Sequence, residues 1–173
     1  MPQSTPVDRL YDESSSIIAA LGSTEPSLAA AAGDSFRKTL ILASASYFEH
    51  LVSKCVVEFV HELSSGNELV VGIVKNKAVS RQYHTWFDWS KTNANAFFGL
   101  FGVTFKQRME ERVKNSDELR NSVRAFLEVG NIRNTMVHQD FASFALDKTL
   151  DEIYALYDQS LLFVNGLPGY LRE

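Results

Sequence analysis

Three residues late in the chain have the types and spacing for phosphate chemistry. They are Arg133, Asn134 and His138, in the stretch Gly130-Asn131-Ile132-Arg133-Asn134-Thr135-Met136-Val137-His138. Read as helix, Asn134 and His138 are i and i+4 and stack on one face. Arg133 is one residue off that face, and its side chain is long enough to reach the imidazole side while its stem stays packed. A guanidinium takes phosphate oxygens in a planar fork, and an imidazole titrates near neutral pH. The competing reading is structural: Arg133 paired with a carboxylate and His138 capping a helix C-terminus.

The elements that position these residues read as helices. Proline occurs only at positions 2, 6, 26 and 168, so the long middle of the chain is free of the residue that breaks helix interiors. Residues 1–6 are expected to be loose. Val7 to Leu21 reads as a first helix stopped by Gly22, followed by a turn to Pro26. Leu28 to Ala32 reads as a short helix before Gly33. A main strut of about thirty residues, roughly 45 Å long, is expected from a cap at Asp34 or Ser35 to Ser64-Ser65-Gly66. Glu49 lies at its midpoint, either at the solvent edge or paired inside.

Glu68 to Val79 is β-branched enough to suggest a strand. Ser80 to Asn95, with Tyr83, Trp86, Phe87 and Trp89, reads as short turns packed on the core. Two helices hinged at Gly102 follow. Ser116 or Asp117 then caps the helix carrying Arg133, with Leu119, Val123, Phe126, Leu127 and Val137 expected on its buried side and Gly130-Asn131 a candidate kink. The last helix is expected from Leu146 to Val164, with Gly166-Leu167-Pro168 as its stop and 166–173 as a tail. No repeat or linker divides the chain, so one domain over 1–173 is expected.

Composition is that of an ordinary globular protein. The lone cysteine, Cys55, allows no internal disulfide, and a cytoplasmic location is expected. No stretch reads as a membrane span or signal core. His50 and His61 share a helix face but stand about 16 Å apart, too far to share an ion, so no metal and no cofactor are expected. The net charge of −4 is unlike that of most nonspecific nucleic-acid binders. It is unevenly spread, with cations concentrated from Lys106 to Arg133 among interspersed acids. That segment is either a solvated face laced with i,i+4 pairs or a strip that tracks phosphates. In the second case Lys106, Arg112 and Arg124 are the RNA contacts.

The Arg-Asn-x3-His stretch resembles the HEPN superfamily of nucleotide-binding and ribonuclease domains. Leu42 to Leu51, with Glu49, is similar to its early helix carrying an acidic residue. Asn93 to Gly102 and Leu150 to Tyr154 add to the likeness, which covers roughly residues 34–165 and points to the branch near the RiboL-PSP-HEPN proteins. The resemblance implies an all-α helical bundle with additional short helices, including a helix at Glu68 to Val79. It implies a metal-independent endoribonuclease in which Arg133, Asn134 and His138 act and Glu49 supports Arg133 or the imidazolium. It also implies RNA as partner and a toxin or effector role with a neutralising partner protein; no membrane partner is expected, because no stretch reads as a span. A tyrosine that follows the His in one branch is replaced here by His138-Gln139-Asp140-Phe141.

One His138 cannot easily serve both sides of a phosphodiester. A homodimer with a composite site across a two-fold axis is therefore expected, using apolar surface from the flanks of the Arg133 helix and from Phe97-Phe98-Leu100-Phe101. The alternative is a non-catalytic module that binds a nucleotide or a partner protein.

Overall fold

The four longest helices of this chain start where a side chain satisfies an orphan backbone N–H or a proline removes one. The computed structural model describes residues 4–173, which form eight α-helices and one π-helical turn with no strand among them. The expected all-α bundle with short extra helices is the observed fold class. Helix α1 (Pro6–Gly22) opens on a capping box: the Thr5 side chain accepts from Asp8 N, and Asp8 in turn accepts from Thr5 N. Of the segment expected to be loose, Thr5 and Pro6 are therefore part of the helix start, and residues 1–3 lie outside the described ones.

Helix α2 (Pro26–Leu63) is 38 residues long, about 57 Å. The expected break at Gly33 and cap at Asp34 or Ser35 do not occur. Pro26 at the first position supplies the start instead. Asp34 pairs within the helix with Arg37 and Lys38, and Ser35 Oγ donates to Ala31 O. One helical glycine costs only about 1 kcal/mol, which the helix tolerates. The most apolar 18-residue window of α2 has a mean hydropathy of 1.3. The expectation that no stretch is apolar enough for a membrane span thus fails by length and composition. In this fold α2 is the strut against which α1 and the last two helices of the chain pack.

The β-branched run is helical: α3 (Glu68–Val74), capped by Asn67, continues into a π-helical turn at Lys75–Val79. Next come the single turn α4 (Tyr83–Trp86), then α5 (Asn95–Gly99) and α6 (Val103–Asn115) hinged at Gly102. At Gly102 φ is +97°, which only glycine adopts without strain. Helix α7 (Asp117–His138), capped by Ser116, runs unbroken through Gly130-Asn131. Its buried side includes Met136 rather than the expected Val137, which is exposed.

Helix α8 (Leu150–Arg172) begins at a Thr149–Glu152 capping box, later than expected, and does not stop at Gly166. It carries Pro168 in its interior and keeps Leu167 and Leu171 in the core. Tertiary contacts hold that last turn: Arg108 donates to Tyr170 O, Arg112 meets Glu173, and Arg172 meets Glu62. These offset the backbone bond that proline removes, so residues 166–172 are a packed helix end and no tail.

Where α2, α7 and α8 meet, Phe48, Phe126, Tyr157 and Phe163 are fully buried. Their rings pack with centroids 5.2–5.6 Å apart, an edge-and-stack arrangement typical of aromatic clusters. Full burial of each is worth about 1.5–3 kcal/mol. This wedge fixes α7 against α2, and with it the face of α7 that bears Arg133.

Candidate functional site: a pocket between α2, α4 and α7

A cavity of about 120 Å³ lies where α7 faces the middle of α2. Ala45, Phe48 and Glu49 line it from α2, and Gly130, Arg133 and Asn134 from α7. Those three α7 positions are i, i+3 and i+4, one helical face. The remaining wall is Tyr83 and His84 of α4, with Trp89 from the following turn.

Gly130 explains how that wall comes so close. A Cβ there would overlap the Trp89 ring at Cε3 and Cζ3. The indole therefore packs directly against α7 at Gly130, and its Nε1 donates to His84 O at 2.9 Å. This bond ties the α4 turn to the pocket.

Within the cavity Arg133 Nη1 donates to Asn134 Oδ1 at 3.1 Å. Among the described residues no carboxylate lies within 4.0 Å of the Arg133 guanidinium. The structural reading of Arg133 as one half of an ion pair thus does not apply. Glu49 shares the cavity but does not contact Arg133 at that distance. Because Asn134 spends its oxygen on Arg133, its amide N–H groups remain as donors. Tyr83 is buried, and its ring packs on Trp86, Phe87 and Trp89. Burial, with the Glu49 carboxylate adding to it, holds the Tyr83 phenol well above the usual tyrosine range, and Arg133 pulls the other way.

His138 is not part of the cavity wall. It is the last residue of α7 and is exposed, one turn or about 6 Å beyond Asn134. Five residues of helix turn it about 140° from Arg133. The structure thus brings Arg133, Asn134 and Glu49 together and leaves His138 at the rim of the helix end. Lys106, Arg112 and Arg124 are not at this pocket. Lys106 pairs with Glu110, and Arg112 with Glu173 while lying over the Tyr170 ring. Arg124 is nine residues before Arg133, about half a revolution round the helix.

The loop after His138 is anchored by a lysine that sequence reasoning passed over. Lys38 of α2 is 4% exposed; its Nζ meets Asp34 at 3.0 Å and donates to Phe141 O at 3.2 Å. It also lies 5.5 Å from the Phe141 ring centroid. Tyr83, His84 and Trp89 were also missed as pocket residues. The density of aromatics in 83–89 was the available signal, and it reads equally well as packing.

An all-helical bundle with Arg-Asn-x3-His near the end of its penultimate helix defines a domain of the HEPN class. The family model described as RiboL-PSP-HEPN matches residues 8–173, and the chain belongs to that family. No curated protein and no solved structure gives a match. The HEPN superfamily includes ribonucleases and nucleotide-binding modules, which sets the broad class of activity.

Proposed function

We propose that this protein is a metal-independent endoribonuclease of the HEPN type. The observation that carries the reading is the Arg133 guanidinium: oriented by Asn134, facing a cavity, and paired with no carboxylate. A guanidinium so held is ready for a phosphate, and its hold strengthens as charge builds on the non-bridging oxygens. In the reaction the RNA 2′-oxygen attacks the adjacent phosphorus and the P–O5′ bond breaks. The 2′-hydroxyl proton leaves to a base, and O5′ gains one from an acid. The products are a 2′,3′-cyclic phosphate and a 5′-hydroxyl. His138 serves as acid or base from the end of α7.

Its distance from the cavity wall supports a homodimer in which two copies of the α7 end meet across a two-fold axis. Val137 and Phe141 are exposed beside it and offer apolar surface for that contact. Of the Phe97-Phe98-Leu100-Phe101 segment, Phe97 and Phe98 offer none because both are fully buried, whereas Leu100 is exposed. A cytoplasmic toxin or effector restrained by a partner protein is the biological role this activity fits.

A second reading is a nucleotide- or protein-binding module without catalysis. The exposed position of His138 and the net charge of −4 favour it. Purified protein incubated with mixed RNA in excess chelator separates the two. Cleavage giving cyclic-phosphate ends supports the nuclease. Intact RNA, with His138→Ala indistinguishable from the parent, supports the module.

A further inference from the structure

The Tyr83 hydroxyl is the buried polar group of this site that nothing else in the fold uses. Its ring is held on three sides by Trp86, Phe87 and Trp89, and only 8% of the residue is exposed. Among the described residues the hydroxyl has no hydrogen-bond partner, and it is not fully sealed from solvent. Tyr83 lines the cavity together with Arg133 and Asn134. A buried phenol of this kind normally has a partner in the protein. Here the partner is missing, and the cavity is where one would sit.

The donors around that cavity are of one kind. Arg133 offers N–H groups beyond the one given to Asn134. Asn134 offers its amide N–H. Tyr83 offers O–H, and its environment keeps the proton on the oxygen at neutral pH. Three sources of donors line one cavity, which Glu49, its one carboxylate, and His84 line as well. A tetrahedral phosphate diester matches this set: non-bridging oxygens to the donors, and the neighbouring ribose 2′-hydroxyl to Glu49. A carboxylate ligand would satisfy the guanidinium fork and leave Tyr83 or Asn134 unused.

We propose that Tyr83 is a phosphate-binding residue of this pocket, donating its hydroxyl to the RNA phosphate held by Arg133 and Asn134 of the same protomer. The proposal deepens the nuclease reading by naming a substrate contact, but it concerns binding and does not require that cleavage occur. The anion site is then complete within one chain, whatever the second copy adds.

The test uses the full chain, inorganic phosphate, and a short 2′-O-methyl RNA, whose blocked 2′-oxygen cannot attack the phosphorus. Binding is read by emission of Trp89, which borders the cavity, and confirmed by calorimetry. Tyr83→Phe keeps the ring and removes the hydroxyl. It is expected to weaken both ligands about tenfold to a hundredfold, the worth of one hydrogen bond to a charged group, with far-UV dichroism unchanged. Tyr83→Phe binding both as tightly as the parent would overturn the proposal, as would a parent that binds neither. If Tyr83→Phe fails to fold, phosphate protection of the parent Tyr83 ring resonances in NMR decides instead: perturbation by phosphate supports the contact, and none refutes it. Phosphate binding through Tyr83 in a parent that cleaves no RNA would sustain this inference while removing the nuclease reading.

Discussion

Replacing Gly130 by alanine should disturb the pocket more than its single methyl group suggests. In an ordinary helix interior the change stabilises by roughly 0.5–1 kcal/mol. At Gly130 the new Cβ would overlap the Trp89 ring. The indole must then lift off α7, which costs about 1–3 kcal/mol by analogy with other overpacked sites. Its bond to His84 O contributes about another 0.5–1.5 kcal/mol when lost. The net expectation is destabilisation of about 0.5–4 kcal/mol. For a chain of this size each kcal/mol moves the melting temperature by about 2–4 °C, so a fall of about 1–16 °C is expected. Gly72→Ala is the matched control: nothing lies within 4 Å of its Cβ position, and it should be neutral or slightly stabilising. Calorimetry gives the melting temperatures, and tryptophan emission reports whether Trp89 has become more solvated. A Gly130→Ala protein that melts at or above the parent, with unchanged emission, would refute the account of how the α4 turn is held.

Other consequences are equally open to measurement. Arg133→Ala and His138→Ala should each abolish RNA cleavage while changing the melting temperature by less than about 2 °C, and Arg133→Lys should rescue poorly because the planar fork is lost. Lys38→Met should loosen residues 139–149, seen as faster amide exchange there, because the anchor on Phe141 and Ala142 is gone. Lys38, chiefly through its hydrogen bond, holds the Asp34 carboxyl below its usual 3.8. That contribution to stability is present above the ordinary carboxyl range and fades as pH falls through the lower folded value; in Lys38→Met the Asp34 carboxyl should titrate at higher pH by NMR. Burial pushes the Cys55 thiol up to about 11, so at pH 8 it should resist alkylation until the protein unfolds, and rapid labelling of native protein would contradict its packed position.

Much of this architecture is legible in the sequence because it depends on local chemistry. The absence of proline from 27 to 167 marks a helical chain, and Ser116 and Ser64-Ser65-Gly66 mark real helix ends. The errors come where distant contacts decide. Gly33 fails to end α2 because α1 packs beside it through Ile18 and Asp34 pairs within the helix, and Pro168 fails to end α8 because packing and ion pairs from other helices hold that end. The same division runs through the pocket. Arg133 and Asn134 are adjacent in sequence, so their partnership can be read directly. Tyr83 and Trp89 reach them only because Gly130 leaves room about forty residues later, a complementarity no window of sequence displays. The spacing suggests that Arg133 reaches the His138 imidazole, yet the structure turns Arg133 to Asn134 and the cavity and leaves His138 at the exposed helix end.

The Thr5 cap has a practical corollary for anyone defining the minimal folding unit. The segment shared with the family starts at residue 8, but the cooperative unit starts earlier. Val7 is 1% exposed in the core, and the Thr5 hydroxyl lies 2.7 Å from that of Tyr157 on α8. A protein trimmed to the homologous boundary would lose a cap worth about 1 kcal/mol and a buried valine worth about 1.5–3 kcal/mol. It would also uncover the Tyr157 hydroxyl beneath them. Such a fragment would carry every residue that marks the family and still be prone to fraying at its first helix.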